Sequence, residues 1–136
     1  MDTTTLFHTL NQKVRLLSKE ANEVLQKYGL FSSQWTILYV LSEKGPMTQM
    51  DISDYIKVEA PTVTRTLTRL EESGWIVRKP GKDKREKTVE LTEMAKNKYP
   101  IVKQSIMEFE QEFIVQLSQQ EQQQLLNLLG KLGKGE

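Results

Sequence analysis

The chain has 136 residues, 38% hydrophobic and 27% charged, with a formal net charge of +1 and no cysteine. That is one domain's worth of protein, able to bury one core and not a second. Disulfides, thiolate catalysis and thiolate metal sites are excluded, and no run reaches the roughly eighteen apolar residues of a membrane span.

The N-terminal MDTTTLFHTL lacks the basic and long apolar regions of a signal peptide, so a cytoplasmic location is expected. The single histidine, His8, reads as a surface or packing residue, because no partners for a metal or acid/base site can be placed beside it. Charge is unevenly spread. Residues 57–87 carry nine Lys/Arg against five Asp/Glu, whereas residues 1–56 and 88–136 are mildly acidic. A basic middle between acidic ends suits a face turned toward a polyanion, or else a solvated surface.

In chain order, Phe7, Leu10, Val14, Leu17, Ala21, Val24 and Tyr28 step alternately by three and four. This heptad seam predicts a long helix packed along another, stopped at Gly29. Ser32 is expected to cap a second helix, SQWTILYVLSEKG, whose apolar residues surround most of its circumference and predict a buried central position. Thr48 with Asp51 three residues on predicts the cap of a short helix, QMDISDYIK, with Ile52 and Ile56 inward.

The next stretch, PTVTRTLTRL, is ambiguous. Its alternating threonines have the period of a strand, yet a strand would bury Arg65 and Arg69 beside Val63 and Leu67, which is expensive. As a helix, Val63, Leu67 and Leu70 fall in one narrow arc, with Pro61, Thr62, Arg65, Thr68 and Arg69 opposite. Pro61 suits a first turn and Gly74 a C-terminal stop, so a helix is predicted. WIVRK and TVEL around PGKDKRE then predict a β-hairpin with a charged tip. Thr92 opens another helix with a second heptad seam, Ala95, Tyr99, Val102, Ile106, Phe109 and Phe113, whose phase survives across Pro100, so a kink there is expected rather than a new helix start. Ser118 and Glu121 form a capping box for a last helix, with Leu125, Leu128 and Leu132 expected inward.

The fold class is therefore mostly α with a small β-hairpin wing: a winged helix-turn-helix flanked by N- and C-terminal helices. Such an arrangement buries one stripe of its second helix and frees the opposite face for the major groove. Threonine is a mediocre helix former, so four in one helix point to surface chemistry. Their hydroxyls can meet phosphates or base edges and their methyls thymine, and Arg65 can reach guanine O6 and N7. At the hairpin tip, Lys82, Lys84, Arg85 and Lys87 are placed for backbone or minor-groove contact. Asp83 opposes phosphate and is expected to hold Arg85 in one rotamer. A charged tip can equally be a solvated turn.

From Leu30 to Ala95 the sequence resembles the multiple-antibiotic-resistance regulator (MarR) family of winged-helix transcription factors. The likeness lies in PTVTRTLTRLEESGWI, the DKR of the wing and VELTE directly after it, in this order and spacing. It implies that Pro61, Thr62, Thr64 and Arg65 meet bases and phosphates. It implies also that Arg85 enters the minor groove, with Asp83 as its supporting acid. The implied organisation is a single domain, 1–136, with a DNA-binding region at 32–91 and dimerisation helices at 3–28 and 92–132. A homodimer would then set two recognition helices against a pseudo-palindromic double-stranded DNA site, as a repressor. Family members often bind small aromatic effectors between these regions. Here the place for one would be where Trp35, Tyr39 and the two heptad helices converge, unless those rings are simply core. No cofactor and no metal is implied. Lys57 departs from the pattern, since the turn there often holds glycine; a left-handed lysine would carry a penalty.

Two other classes bear on the reading. A winged helix can dock proteins without binding DNA, and would then show no salt-dependent DNA affinity. An enzyme is disfavoured by the lack of cysteine, the single histidine and the absence of a glycine-rich phosphate loop.

Overall fold

The structure, a computed structural model, describes residues 2–81, 83 and 86–133. The helices are α1 (Thr3–Leu25), α2 (Ser32–Lys44), α3 (Gln49–Ile56), α4 (Ala60–Glu72), α5 (Glu93–Phe113) and α6 (Gln119–Lys131). The strands are β1 (Met47–Thr48), β2 (Ile76–Pro80) and β3 (Lys87–Leu91), and a 3₁₀ turn at Gln26–Tyr28 follows α1. The fold is thus mostly helical, as expected.

Local chemistry sets most of the helix boundaries. Thr48 Oγ accepts from Asp51 N at 3.1 Å and starts α3. Ser118 and Glu121 close a full capping box at α6, each side chain accepting from the other's backbone N–H. At α2 the expected cap is displaced by one residue. Phe31 is the N-cap, its N–H donates to Gln34 Oε1 at 2.9 Å, and Ser32 instead donates its own N–H to Asn22 Oδ1 of α1. A phenyl ring offers no acceptor, so the Gln34 N–H turns to the Phe31 carbonyl, while the Gln34 and Asn22 side chains accept from the Phe31 and Ser32 N–H groups.

The core gathers around α2 and α4. Ile37, Leu38, Val40 and Leu41 of α2 are buried, and Val63, Leu67 and Leu70 of α4 share one cluster with Ile37, Leu38 and Leu41, as the helical arc predicted. Leu67 and Leu70 are fully buried, each worth about 1.5–3 kcal/mol relative to exposure. Ile52 of α3, Ile76 and Val89 of the sheet, and Ala95, Tyr99, Val102 and Ile106 of α5 complete the same core.

The sheet is larger than a hairpin. β1 pairs antiparallel with β3 through Met47↔Val89 and Thr48↔Thr88, giving strand order β1-β3-β2. A two-residue strand leaves no periodicity to read. β2 and β3 pair in register from Ile76↔Leu91 to Pro80↔Lys87. At the root of this hairpin Thr92 Oγ donates to Gly74 O at 2.6 Å and accepts from Ala95 N at 3.1 Å, joining the sheet to the first turn of α5. α5 runs unbroken through Pro100, which lies on an exposed position, so the carbonyl that loses its donor there can turn to water.

The outer seams differ from the expectation of inward leucines. Leu125, Leu128 and Leu132 of the last helix and its end are exposed, Leu128 by 58%, as are Phe7, Val14 and Leu17 of α1. Toward its C-terminal end α1 does enter the core, through Ala21 and Leu25. Heptad spacing reports an apolar stripe and not what covers it; the α6 leucines and the Phe7–Leu17 part of the α1 stripe do not face the core of their own chain.

Lys57 follows α3 with φ 60° and ψ 42°, the left-handed region, and is the sole non-glycine residue with positive φ among the described residues. The turn between α3 and α4 therefore takes the geometry that glycine would take. Lys57→Gly is expected to stabilise the protein by about 1 kcal/mol by relieving the Cβ conflict. In a thermal melt that is a rise in Tm of about 3–5 °C.

Candidate nucleic-acid interface

α4 presents its functional face because its other face is committed to the core. Pro61, Thr64, Arg65, Thr68 and Arg69 are exposed, and Thr62 is half-buried. Pro61 lies in the first turn, and no side chain caps the helix. Arg65 Nη2 donates to Thr62 Oγ at 3.2 Å, bracing the guanidinium along the helix surface. Arg65 and Arg69 line a cleft of about 130 Å³ with Thr62, Thr66 and the start of α2 at Phe31, Ser33 and Gln34. Two guanidinium groups and no carboxylate share that cleft.

The threonines are less available as donors than their number suggests. Thr64, Thr66 and Thr68 Oγ donate to the carbonyls of Ala60, Thr62 and Thr64 respectively, at 2.9–3.0 Å. With the hydroxyl hydrogens turned into the helix, the outward chemistry of Thr64 and Thr68 is lone pairs and methyls. A phosphate contact would require the hydroxyl to leave its carbonyl, a net cost of about 1 kcal/mol.

The wing continues the same surface. Gly81 N donates to Glu86 O at 2.8 Å and Glu86 N to Asp83 O at 3.0 Å, closing the tip. A Cβ on Gly81 would lie 3.0 Å from the Glu86 carbonyl oxygen, so a side chain there would need that carbonyl to give by a few tenths of an ångström. Asp83 and Lys87 are exposed. Lys82, Lys84 and Arg85 lie outside the described residues, and with them the expected Asp83–Arg85 pairing. Lys79 forms an ion pair with Glu90 at 2.6 Å across the hairpin. The hydrogen bond that Lys79 donates to Glu90, with the carboxylate's charge, holds the lysine's pKa above its ordinary value.

Two polar residues at this surface escaped sequence reading. Arg78 stands opposite Val89 in the sheet register, and its Nε and Nη2 are buried without a hydrogen-bond partner among the described residues. Gln49, in the first turn of α3, donates from Nε2 to Thr64 Oγ of α4. Neither carries a motif, and only the packing of α3 on α4 and the sheet reveals them.

The rings proposed for ligand binding do meet. Trp35 stacks on Tyr99 with centroids 5.2 Å apart and planes 14° apart, and Tyr39 is tilted against it at 6.3 Å. Trp35, Tyr39, Lys103, Ile106, Met107 and Glu110 line a cavity of about 180 Å³ between α2 and α5. Only one of the two heptad helices contributes to it; α1 does not. Partial burial pushes the Glu110 carboxyl above its usual range, and burial pushes the Tyr99 hydroxyl up likewise.

Residues 30–87 match the family model described as MarR family. A helix-turn-helix-type transcriptional regulator of Bacillus subtilis (strain 168), YwoH, is 48% identical over 123 residues, covering 90% of each chain. This chain belongs to the MarR family. It is a MarR-family helix-turn-helix transcriptional regulator, and solved structures agree. A variant of the Escherichia coli protein MarR complexed with operator DNA superposes with TM-score 0.84 at 27% identity, covering 96% of this chain and 93% of that one. Reduced AbfR bound to DNA gives TM-score 0.79 at 25% identity, covering 95% and 89%. The matched family region spans α2, α3, α4 and β2, and so includes the whole arginine–threonine face.

If the back-bonded threonines contribute by shape and lone pairs, Thr68→Val should retain binding within about twofold, an isosteric loss of one uncommitted acceptor. Fluorescence anisotropy on a bound duplex would check it; a tenfold loss would show that the hydroxyl donates.

Proposed function

We propose that this MarR-family protein is a cytoplasmic, homodimeric repressor that binds a pseudo-palindromic operator. In this reading α4 enters the major groove and the β2–β3 wing the adjacent minor groove. The observation that carries it is the division of α4 into a buried Val63–Leu67–Leu70 stripe and an exposed face bearing Arg65, Arg69 and the threonines, with no acid between Glu59 and Glu71. That face is the one a helix-turn-helix offers to base edges. The operator-bound and DNA-bound relatives of the same fold support it.

Residues 32–91 then form the DNA-reading region, and 3–28 with 92–132 the assembly helices. The exposed leucines of α6 and the exposed Phe7, Val14 and Leu17 of α1 form apolar faces too long to be stable in water alone, and a second copy of the chain covers them. Two recognition helices would then stand about one DNA turn apart, and occupancy would exclude polymerase sterically. A small aromatic effector in the Trp35–Tyr39 cavity would act through its differential affinity for the DNA-competent spacing. Arg65 reads a base, while Lys82, Lys84, Arg85 and Lys87 meet the backbone and minor groove, with Asp83 holding Arg85. The protein has no catalytic role in this scheme.

Sequencing of duplexes selected from a random library at moderate salt should recover an inverted repeat with half-sites about one turn apart. No enrichment by a folded dimer would reject the reading and favour protein docking on the basic face. With that operator, Arg65→Ala should cost about 1–3 kcal/mol and relax preference at one position. Arg85→Ala should weaken all sequences alike and reduce the salt slope by about one. Leu128→Glu should shift the protein to monomer in sedimentation and abolish tight operator binding; a dimer unchanged at micromolar concentration would place the interface elsewhere.

A further inference from the structure

We infer that Gln49 is a base-reading residue, held in its reading pose by Thr64, and that its target is an adenine in each half-site. The inference rests on the proposed docking of α4 in the major groove and adds a specificity determinant from outside the recognition helix.

The argument begins with the hydroxyl of Thr64. Its oxygen lies 2.9 Å from the carbonyl of Ala60, an atom that can only accept, so the Thr64 hydrogen is spent there. The same oxygen is in hydrogen-bond contact with the Gln49 carboxamide. With its one hydrogen already given, Thr64 Oγ can only accept from Gln49. That fixes the amide orientation, with Nε2 toward Thr64 and Oε1 away from it.

A carboxamide has two N–H groups and one carbonyl oxygen. When the N–H that points away from Oε1 is given to Thr64, the remaining N–H and Oε1 form an adjacent donor–acceptor pair. That pair matches adenine N7 and the N6 amino group, the bidentate contact that Gln or Asn makes in the major groove. Gln49 is suitably placed to use it. It is only half-buried, it bonds to a residue on the exposed face of α4, and it lines a cleft of about 430 Å³ where the start of α3 meets Arg78 and Lys87 of the wing sheet. No other hydrogen bond engages its side chain among the described residues. Thr64 thereby becomes a positioning residue for Gln49, with its methyl left to contact the neighbouring base.

The test is the same random-duplex selection, run on the full-length wild type, Gln49→Ala, Gln49→Glu and Thr64→Val. Wild type should show adenine at one position of each half-site, preferred over other bases by roughly 5–150-fold. Gln49→Ala should lose that preference at that position alone and keep the rest of the operator. Gln49→Glu, an acceptor only, should move the preference toward cytosine, whose N4 amino group donates. Thr64→Val keeps the shape and removes the acceptor, so it should weaken the same adenine preference. A purely structural role for Gln49 would lower affinity evenly and leave the base profile untouched.

An unchanged profile for Gln49→Ala, or an even loss over all positions, overturns the inference while leaving the α4 reading standing. Failure of wild type itself to enrich any repeat overturns both.

Discussion

Everything functional in this molecule hangs on the burial of three side chains, Val63, Leu67 and Leu70, against α2, α3 and the sheet. A helix of 13 residues is marginal alone in water, and four threonines make this one a poor helix by propensity. Tertiary burial therefore supplies the helix, and the opposite face is released to carry arginine and threonine. The threonines return some of the cost by bonding back to the preceding turn, which satisfies their hydroxyls without help from solvent. Had the same ten residues formed a strand, Arg65 and Arg69 would have shared a buried face with Val63 and Leu67.

The fold was legible where one chemical signal points one way. The helical arc of α4, the Thr48 and Ser118 caps and the existence of the hairpin follow from spacing and side-chain type, and the structure bears them out. Strand β1 was not legible, because Met47–Thr48 is created by its partner Val89–Thr88 and not by its own pattern. The cap at α2 was misread for a related reason: the Ser32 N–H donates to Asn22 Oδ1, ten residues away in another helix, and Ser32 becomes the first helical residue instead of the cap. Apolar stripes on α1 and α6 were correctly seen as stripes, but spacing does not say on which side of them the partner lies.

The exposed face of α4 was legible residue by residue, yet its availability was not. Whether a threonine hydroxyl points to solvent or to its own helix depends on a rotamer, and three of the four turn inward. Gln49 and Arg78 belong to other elements, so only the three-dimensional meeting of α3, α4 and the sheet brings them to this surface. The aromatic pair Trp35 and Tyr39 was anticipated, while its third ring, Tyr99 on α5, was seen in sequence only as a seam residue.

Thr92 gives the architecture a mechanical character. Its hydroxyl oxygen bridges Gly74, at the entry to the wing, and Ala95, in the first turn of α5, while its backbone N–H donates to Trp75. Wing and long helix thus share one joint with no slack residue between them. Twenty-one residues long, α5 starts from that joint. Tyr99 and Ser105, farther along the helix, engage Trp35 of α2 and Tyr28 after α1. The aromatic contact on α2 and the root of the hairpin are thus joined through one continuous helix.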